Sequence, residues 1–410
     1  MRVLFVHQNF PGQFKHLAPW LLKQGHEVVG MGDADNLGGR AAGFGFPVVA
    51  YKGRSEANVA THHYLRSFEA AVRRGQDAVR VFIELRSKGF VPDLVIGHPA
   101  WGELLFVRDI FPDTKVVAYF EFFYRALGAD VGFDPEYPAT LDTTFKLRIR
   151  NSAQLHALSE ADAGISPTAW QRSTYPEREK ARIRVIHEGI DLETVRPDAS
   201  ARYRLPDGRE FGRETQVVSF VSRQLEPYRG FHAYMRALPE LQRRLPKAHF
   251  VIVGSDGVSY GAAAPKPHSS YREMLLAEVG SNLDMSRTHF VGRIPYADYL
   301  KLLQVSRLHI YLSYPFVLSW SMLEAMACGT PVLGSATPPV QEMIRDGENG
   351  FLFDFFDRDQ LVERAVRILG MDAVPVARAA REFVEGRFSF SQHSLPAYLS
   401  LLRELLPGKL

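Results

Sequence analysis

Apolar residues in this chain fall into short unbroken runs, separated by longer stretches in which they recur at helical spacing. Residues 2–7 form one such run, nearly all apolar, as a strand requires when helices cover both of its faces. A loop, QNFPGQF, follows, and residues 16–24 then read as a helix that Gly25 ends before a second strand at 26–30. This is the βαβ opening of an α/β domain. Residues 65–88 carry apolar side chains at helical spacing among arginines and stop at Gly89. Short buried strands are expected at 94–97, 115–120 and 163–166, with a helix over 143–161. Residues 184–186 close this first sheet, before the turn EGID.

Periodicity disappears over residues 192–215, which are rich in Arg, Pro, Asp and Gly and read as a linker. A second series then begins with a strand at 216–221, the loop RQLEPYRG, a helix to residue 244 and a strand at 249–254. Residues 257–270 hold three alanines, two prolines and a glycine-rich start, and read as a mobile loop or insertion. A strand at 289–291 and a helix at 296–304 lead into LHIYLSYPFVLSWSMLEAMACGTPVL, residues 308–333. Its pattern gives a strand, a loop over 313–319 containing Pro315, a helix over 321–328 and a further strand. Gly329 and Pro331 supply the stop signal between helix and strand. After Phe383, RFSFSQHSLPAYLSLLREL reads as a final helix.

At 410 residues the chain is too long for one ordinary core, so two domains are expected. A composition of 46% hydrophobic and 23% charged residues is that of a globular protein. The net charge of +3 is too mild and dispersed to indicate nucleic acid, although it permits loose peripheral contact with an anionic membrane surface. The single cysteine, Cys328, excludes an intramolecular disulfide and fits a reducing compartment. The apolar start is too short for a signal peptide, and residues 308–323 fall short of the ~20 apolar residues of a membrane span. The expected setting is soluble and cytoplasmic, extending to the inner face of the membrane.

The loop at 313–319 feeds a helix N-terminus, which presents free backbone N–H groups and the positive end of the helix dipole to an anion. Glu324 is the carboxylate read in the first turn of that helix. The segment SMLEAMACGTPVLGS, with DGENGFLF downstream, resembles the nucleotide-sugar signature of retaining GT-B glycosyltransferases of family 4, the glycosyl transferases group 1. The resemblance also touches the first strand, the 223–230 loop and the tail. It implies an α/β protein of the GT-B fold, with two Rossmann-like domains facing a cleft. Residues 1–195 would bind the acceptor, residues 196–385 the nucleotide sugar, and residues 386–410 would form a helix crossing back onto the first domain. The implied reaction moves a sugar from a UDP- or GDP-sugar co-substrate to a hydroxyl of a sugar or lipid-linked acceptor, with no metal and no cofactor.

In SRQLEPYRG, Arg223 and Arg229 stand six residues apart, where the family places an arginine and a lysine on the donor diphosphate. Arg229 keeps the charge and can fork onto two phosphate oxygens. Two surface arginines are the plain alternative, but a cation at a helix start is disfavoured unless an anion sits beside it. The resemblance puts Glu324 on the ribose hydroxyls, whereas Ser321-x-x-Glu324 also fits a capping box. Phe316 stands where the family usually has a second glutamate, which contacts the donor sugar. With Leu318, Ser319 and Trp320 it is expected to border a wet cleft in which backbone N–H groups and water meet the sugar; the alternative is a donor sugar that presents an apolar face or lacks a hydroxyl there. Arg293 is a further donor-side candidate. The family often has a histidine near the transferring carbon. In AYFEFFYR that slot holds Glu121, either as a catalytic group or as a partner for Arg125 four residues on. Gly12 either brings its loop close to the donor phosphates or acceptor or merely turns the chain after Pro11. His98 and Trp101, in GHPAWGE, follow a strand end and would line the acceptor side, with a structural histidine as the alternative.

Asp33-Ala-Asp35 matches the metal-binding D-x-D of the other large glycosyltransferase fold, but its neighbourhood reads as a solvated loop, and His62-His63 read as surface residues. No Walker loop, no GxGxxG after a strand and no GxSxG is present. Three classes stay open: a retaining glycosyltransferase, another GT-B enzyme such as a nucleotide-sugar epimerase, and a non-catalytic nucleotide-sugar-binding scaffold, which Phe316 and Glu121 favour.

Overall fold

The short apolar runs become two parallel sheets. The computed structural model describes residues 1–38, 43–52 and 58–410, which divide into two compact units. One comprises Met1–Gly189 with Phe390–Leu410, the other Ile190–Ser389.

The first unit holds β1 (Arg2–Val6), β2 (Glu27–Asp33), β3 (Val48–Tyr51), β4 (Leu94–Gly97), β5 (Lys115–Tyr119), β6 (Ala163–Ser166) and β7 (Ile183–Val185). They pair in parallel in the order β3-β2-β1-β4-β5-β6-β7. The order reverses between β1 and β4, which pair with Val3 opposite Leu94, and such a switch point opens a crevice at the carboxyl ends of the strands. One face of the sheet packs on the helix Leu17–Lys23 and on the C-terminal helix Leu395–Leu405, whose Leu395, Tyr398, Leu401 and Leu402 join Val3, Phe5 and Phe14 in one buried cluster. The other face packs on Arg66–Ser87 through Ala78, Phe82 and Leu85. Ion pairs of Arg184 with Glu404 and of Lys409 with Asp93 also hold the tail.

The second unit holds β10 (Gln216–Gln224), β11 (Ala248–Ser255), β12 (Thr288–Gly292), β13 (Leu308–Tyr311), β14 (Val332–Ser335) and β15 (Phe351–Phe353), in the order β12-β11-β10-β13-β14-β15. Here the order reverses between β10 and β13. The loops that leave these two strands are the two stretches that the sequence marks for phosphate and sugar.

Several expectations change. The helix expected over 143–161 is two helices, Leu141–Arg150 and Ser152–Glu160. Asn151 breaks it by exchanging hydrogen bonds with the Tyr124 backbone, at 2.9 and 3.1 Å. The stretch 192–215 belongs to the second unit and contains a hairpin, β8 (Tyr203–Arg204) with β9 (Glu210–Phe211). Tyr203, Leu205 and Phe211 are buried against Val217 and Val251, so apolar residues too sparse to show a period still anchor the segment. Residues Tyr271–Val279 form a helix that Ser270 caps by accepting from Glu273 N at 3.1 Å. The tail contains two helices, Val374–Phe388 and Leu395–Leu405, joined by one π-helical turn. Among the described residues no helix is long and apolar enough to cross a membrane.

Candidate active site

In the second unit the chain leaves β10 through SRQLEPYRG. Arg223 is exposed at the strand end. Pro227–Arg229 is a single 3-10 turn, and Gly230 then takes the left-handed conformation, with φ +65°, where any Cβ would collide with Leu312. This seats Arg229 before the helix Phe231–Arg244 and buries it to 7% exposure. Its Nη1 donates to Ser313 Oγ at 3.0 Å and to Val317 O at 2.7 Å, which ties it to the loop after β13. Among the described residues no carboxylate lies within ion-pair distance of it. A guanidinium does not deprotonate; its hydrogen-bond acceptors here are neutral and the buried Glu226 charge acts on it only from outside ion-pair distance, so the site has room for an anion in direct contact.

The loop after β13 is itself pinned. Ser313 N donates to Ser335 Oγ at 3.1 Å, Thr337 Oγ1 donates to Ser313 O at 3.1 Å, and Ser319 N donates to Tyr311 OH at 2.8 Å. Phe316 does not border a wet cleft. It is 1% exposed and meets Tyr228 and Tyr260 edge-on, with ring centroids at 5.3 and 4.7 Å. Leu318 is also buried, whereas Trp320 is 37% exposed. The helix runs Trp320–Ala327 with Ser319 as its N-cap, so the Ser321–Glu324 capping box does not form and Glu324 lies beyond the first turn. Its carboxylate is 3% exposed and accepts from Tyr296 OH at 2.7 Å and Tyr299 OH at 2.6 Å. Burial and the facing Glu324 charge push both phenols above their ordinary pKa, so they remain donors. Arg293 follows Gly292 and is exposed.

A residue that the motif reading missed organises this loop. Glu226 is fully buried, and its carboxylate accepts from three successive backbone N–H groups, Ser259 at 3.1 Å, Tyr260 at 3.1 Å and Gly261 at 3.2 Å. Its sequence signal was a lone carboxylate between two arginines.

In the first unit Gly12, His98 and Glu121 lie in the loops after β1, β4 and β5. Gly12 has φ +49°, and a Cβ on it would lie 2.7 Å from His7 Nε2, so both conformation and contact require glycine. His98 stacks on Trp101 at 4.0 Å and is 2% exposed. Its Nδ1 accepts from Ala100 N at 3.3 Å, which assigns the proton of the neutral ring to Nε2, 3.4 Å from Glu121 Oε2. The other Glu121 oxygen accepts from Gln13 Nε2 at 2.8 Å. Among the described residues no ion pair joins Glu121 to Arg125, so that alternative falls. Gln13 is the second group the motifs missed. Its signal was adjacency to Gly12. Asp33 caps the short helix Ala34–Leu37 by accepting from Asp35 N and Asn36 N, a structural use of the D-x-D pair. His62 and His63 stack on each other at 4.7 Å, and His63 pairs with Asp142 on the surface.

Two family models match this chain: the glycosyl transferase family 4 group over residues 24–195 and the glycosyl transferases group 1 over residues 208–382. The chain belongs to the group 1 glycosyltransferases of family 4. Curated relatives include D-inositol 3-phosphate glycosyltransferases. The Mycolicibacterium paratuberculosis protein is 27% identical over 63% of this chain and 56% of its own length. That of Mycobacterium sp. strain JLS is 29% identical over 57% of this chain and 51% of its own length. The chain thus spans about half the length of the curated relatives it matches. Sucrose-phosphate synthase from Thermosynechococcus elongatus superposes with a TM-score of 0.71 at 17% identity, covering 99% of both chains. HepE from Anabaena, solved with UDP and glucose, gives 0.69 at 17% identity, covering 98% of this chain and 99% of that one. These neighbours establish that the chain has the GT-B fold.

Proposed function

We propose that this chain transfers a sugar, with retention and without a metal, from a nucleoside diphosphate sugar to a hydroxyl acceptor. The observation that carries the reading is Arg229, a buried guanidinium whose hydrogen-bond acceptors are neutral and which, among the described residues, has no carboxylate in direct contact, beside a loop that enters a helix. Departure of the diphosphate develops negative charge, and Arg229, with Arg223 and the N-terminus of the helix Trp320–Ala327, would stabilise it. Glu324 would accept the ribose hydroxyls, since two tyrosines already fix its orientation and a carboxylate has acceptor capacity for further donors. Gly12, Gln13, His98, Trp101 and Glu121 would line the acceptor side of the first unit, with Glu121 in the slot where the family often has a histidine. Leu318, Ser319, Trp320 and Arg293 would complete the donor side. In the retaining chemistry the departing phosphate takes the acceptor's proton on the same face.

A uridine donor is the first choice, because HepE was solved with UDP-glucose and with UDP and glucose. A GDP-sugar donor is the second, and the acceptor would be a sugar or a lipid-linked hydroxyl. Incubation with UDP-, GDP- and ADP-sugars, followed by measurement of released nucleotide and NMR of the product, tests this. An α-linked product from an α-linked donor is expected. An inverted linkage would overturn retention, and binding without turnover for any donor would favour the scaffold reading that buried Phe316 keeps open.

A further inference from the structure

Arg229 is covered. The Tyr260 ring lies over its guanidinium, with the central carbon 5.5 Å from the ring centroid, and the Phe316 ring lies 5.7 Å away. Tyr260 also hydrogen bonds with Arg229. The segment carrying Tyr260 is neither helix nor strand between β11 and the helix Tyr271–Val279, and it reads GVSYGAAAPKP. Gly, Ala and small polar residues give it little side-chain packing of its own. Three of its consecutive amides converge on Glu226, at 3.1 to 3.2 Å, and this carboxylate is fully buried. A carboxylate in a cradle of successive N–H groups is an internal anion in a place built for one.

The geometry points to Glu226 and Tyr260 as positioning residues that control access of anions to Arg229. Glu226 holds the 259–261 segment, the segment holds the Tyr260 ring over the guanidinium, and an entering diphosphate displaces that ring. The aromatic face satisfies the buried cation while the site is empty of donor, and phosphate oxygens replace it in charge-assisted hydrogen bonds. This rests on the assignment of Arg229 to the diphosphate. The arrangement also explains why Phe316, which packs on Tyr260, is buried: it is the wall against which the cover closes.

The test uses the full chain and inorganic pyrophosphate as probe, by calorimetry and by hydrogen exchange of the 259–261 amides. Tyr260→Ala is expected to tighten pyrophosphate about fivefold, the worth of one cation–aromatic contact that no longer has to be broken. Tyr260→Phe, which keeps the ring, is expected to stay closer to wild type. In wild type, pyrophosphate should speed exchange of these amides, and Glu226→Gln should speed it without ligand. Arg229→Ala should lose pyrophosphate both alone and combined with Tyr260→Ala. Weaker binding by Tyr260→Ala, or amide exchange that pyrophosphate leaves unchanged or slows, would overturn the cover while leaving the diphosphate assignment intact. Unaltered binding by Arg229→Ala would overturn the assignment itself and the cover with it.

Discussion

Replacing Arg229 by lysine is a sharper test of the diphosphate clamp than removing it. A guanidinium carries five N–H donors in a fixed fork. Both hydrogens of Nη1 are committed, to Ser313 Oγ at 3.0 Å and Val317 O at 2.7 Å. With the Tyr260 ring aside, Nη2 and Nε retain three donors for phosphate oxygens. An ammonium has three donors in all, so Arg229→Lys must either release the 313–317 loop or reach phosphate with one donor. Losing a charge-assisted hydrogen bond is worth about 1.5–3 kcal/mol, so kcat/KM should fall about 10- to 150-fold. Arg229→Ala loses the charge as well and should fall about 10²- to 10³-fold in kcat, the scale for removing a group that meets developing charge. The alanine variant also leaves Val317 O and Ser313 Oγ without their donor, a cost of about 1–3 kcal/mol. Relief from a buried cation offsets part of that cost, so a Tm loss of only a few degrees is expected. The assay is initial rate of nucleotide release over a series of donor concentrations, with thermal melting alongside. Retention of kcat/KM within about threefold by Arg229→Ala, a difference below 1 kcal/mol, would refute the reasoning.

Phe316→Glu should destabilise the protein by about 1–3 kcal/mol, because a site that is 1% exposed and ringed by Tyr228 and Tyr260 leaves a carboxylate only partly solvated. Unchanged thermal melting would show that this loop is open in solution. Activity should survive excess EDTA, since protein cations face the diphosphate in this scheme. Loss restored by Mn²⁺ would return Asp33 and Asp35 to consideration as ligands. Burial, with Arg209 nearby, pulls His289 down to about 4, and burial pulls His309 to about 3. Unfolded histidines titrate near 6.5, so below that pH the unfolded chain binds more protons and stability declines as pH falls towards 4. Tm measured from pH 7 to 4 should drop, and His289→Asn should flatten part of the drop.

Local pattern was sufficient to read most of the framework. Four-residue runs such as Val3 to Val6, fully buried in the structure, had to be strands covered on both faces, and Gly25 and Gly329 had to end helices because both take positive φ. The motif around Glu324 and the pair Arg223 and Arg229 stood out as candidates for the donor side through their resemblance to the family, with side-chain chemistry in support. What the sequence could not set was which side chains meet. Glu121 has Arg125 as a neighbour along the chain, yet β4 and β5 run side by side and deliver it to His98, while the β1 loop delivers Gln13. Glu324 had a serine at capping distance, but the helix starts earlier and two tyrosines from the helix Tyr296–Val305 reach the carboxylate first. Phe316 was expected at a wet surface because loops usually are, and only packing against Tyr260, which Glu226 anchors from another loop, puts it inside. Spacing along a chain constrains partners within a few residues. Partners across strands follow from sheet order, and that is settled by the burial of the whole core rather than by any one segment.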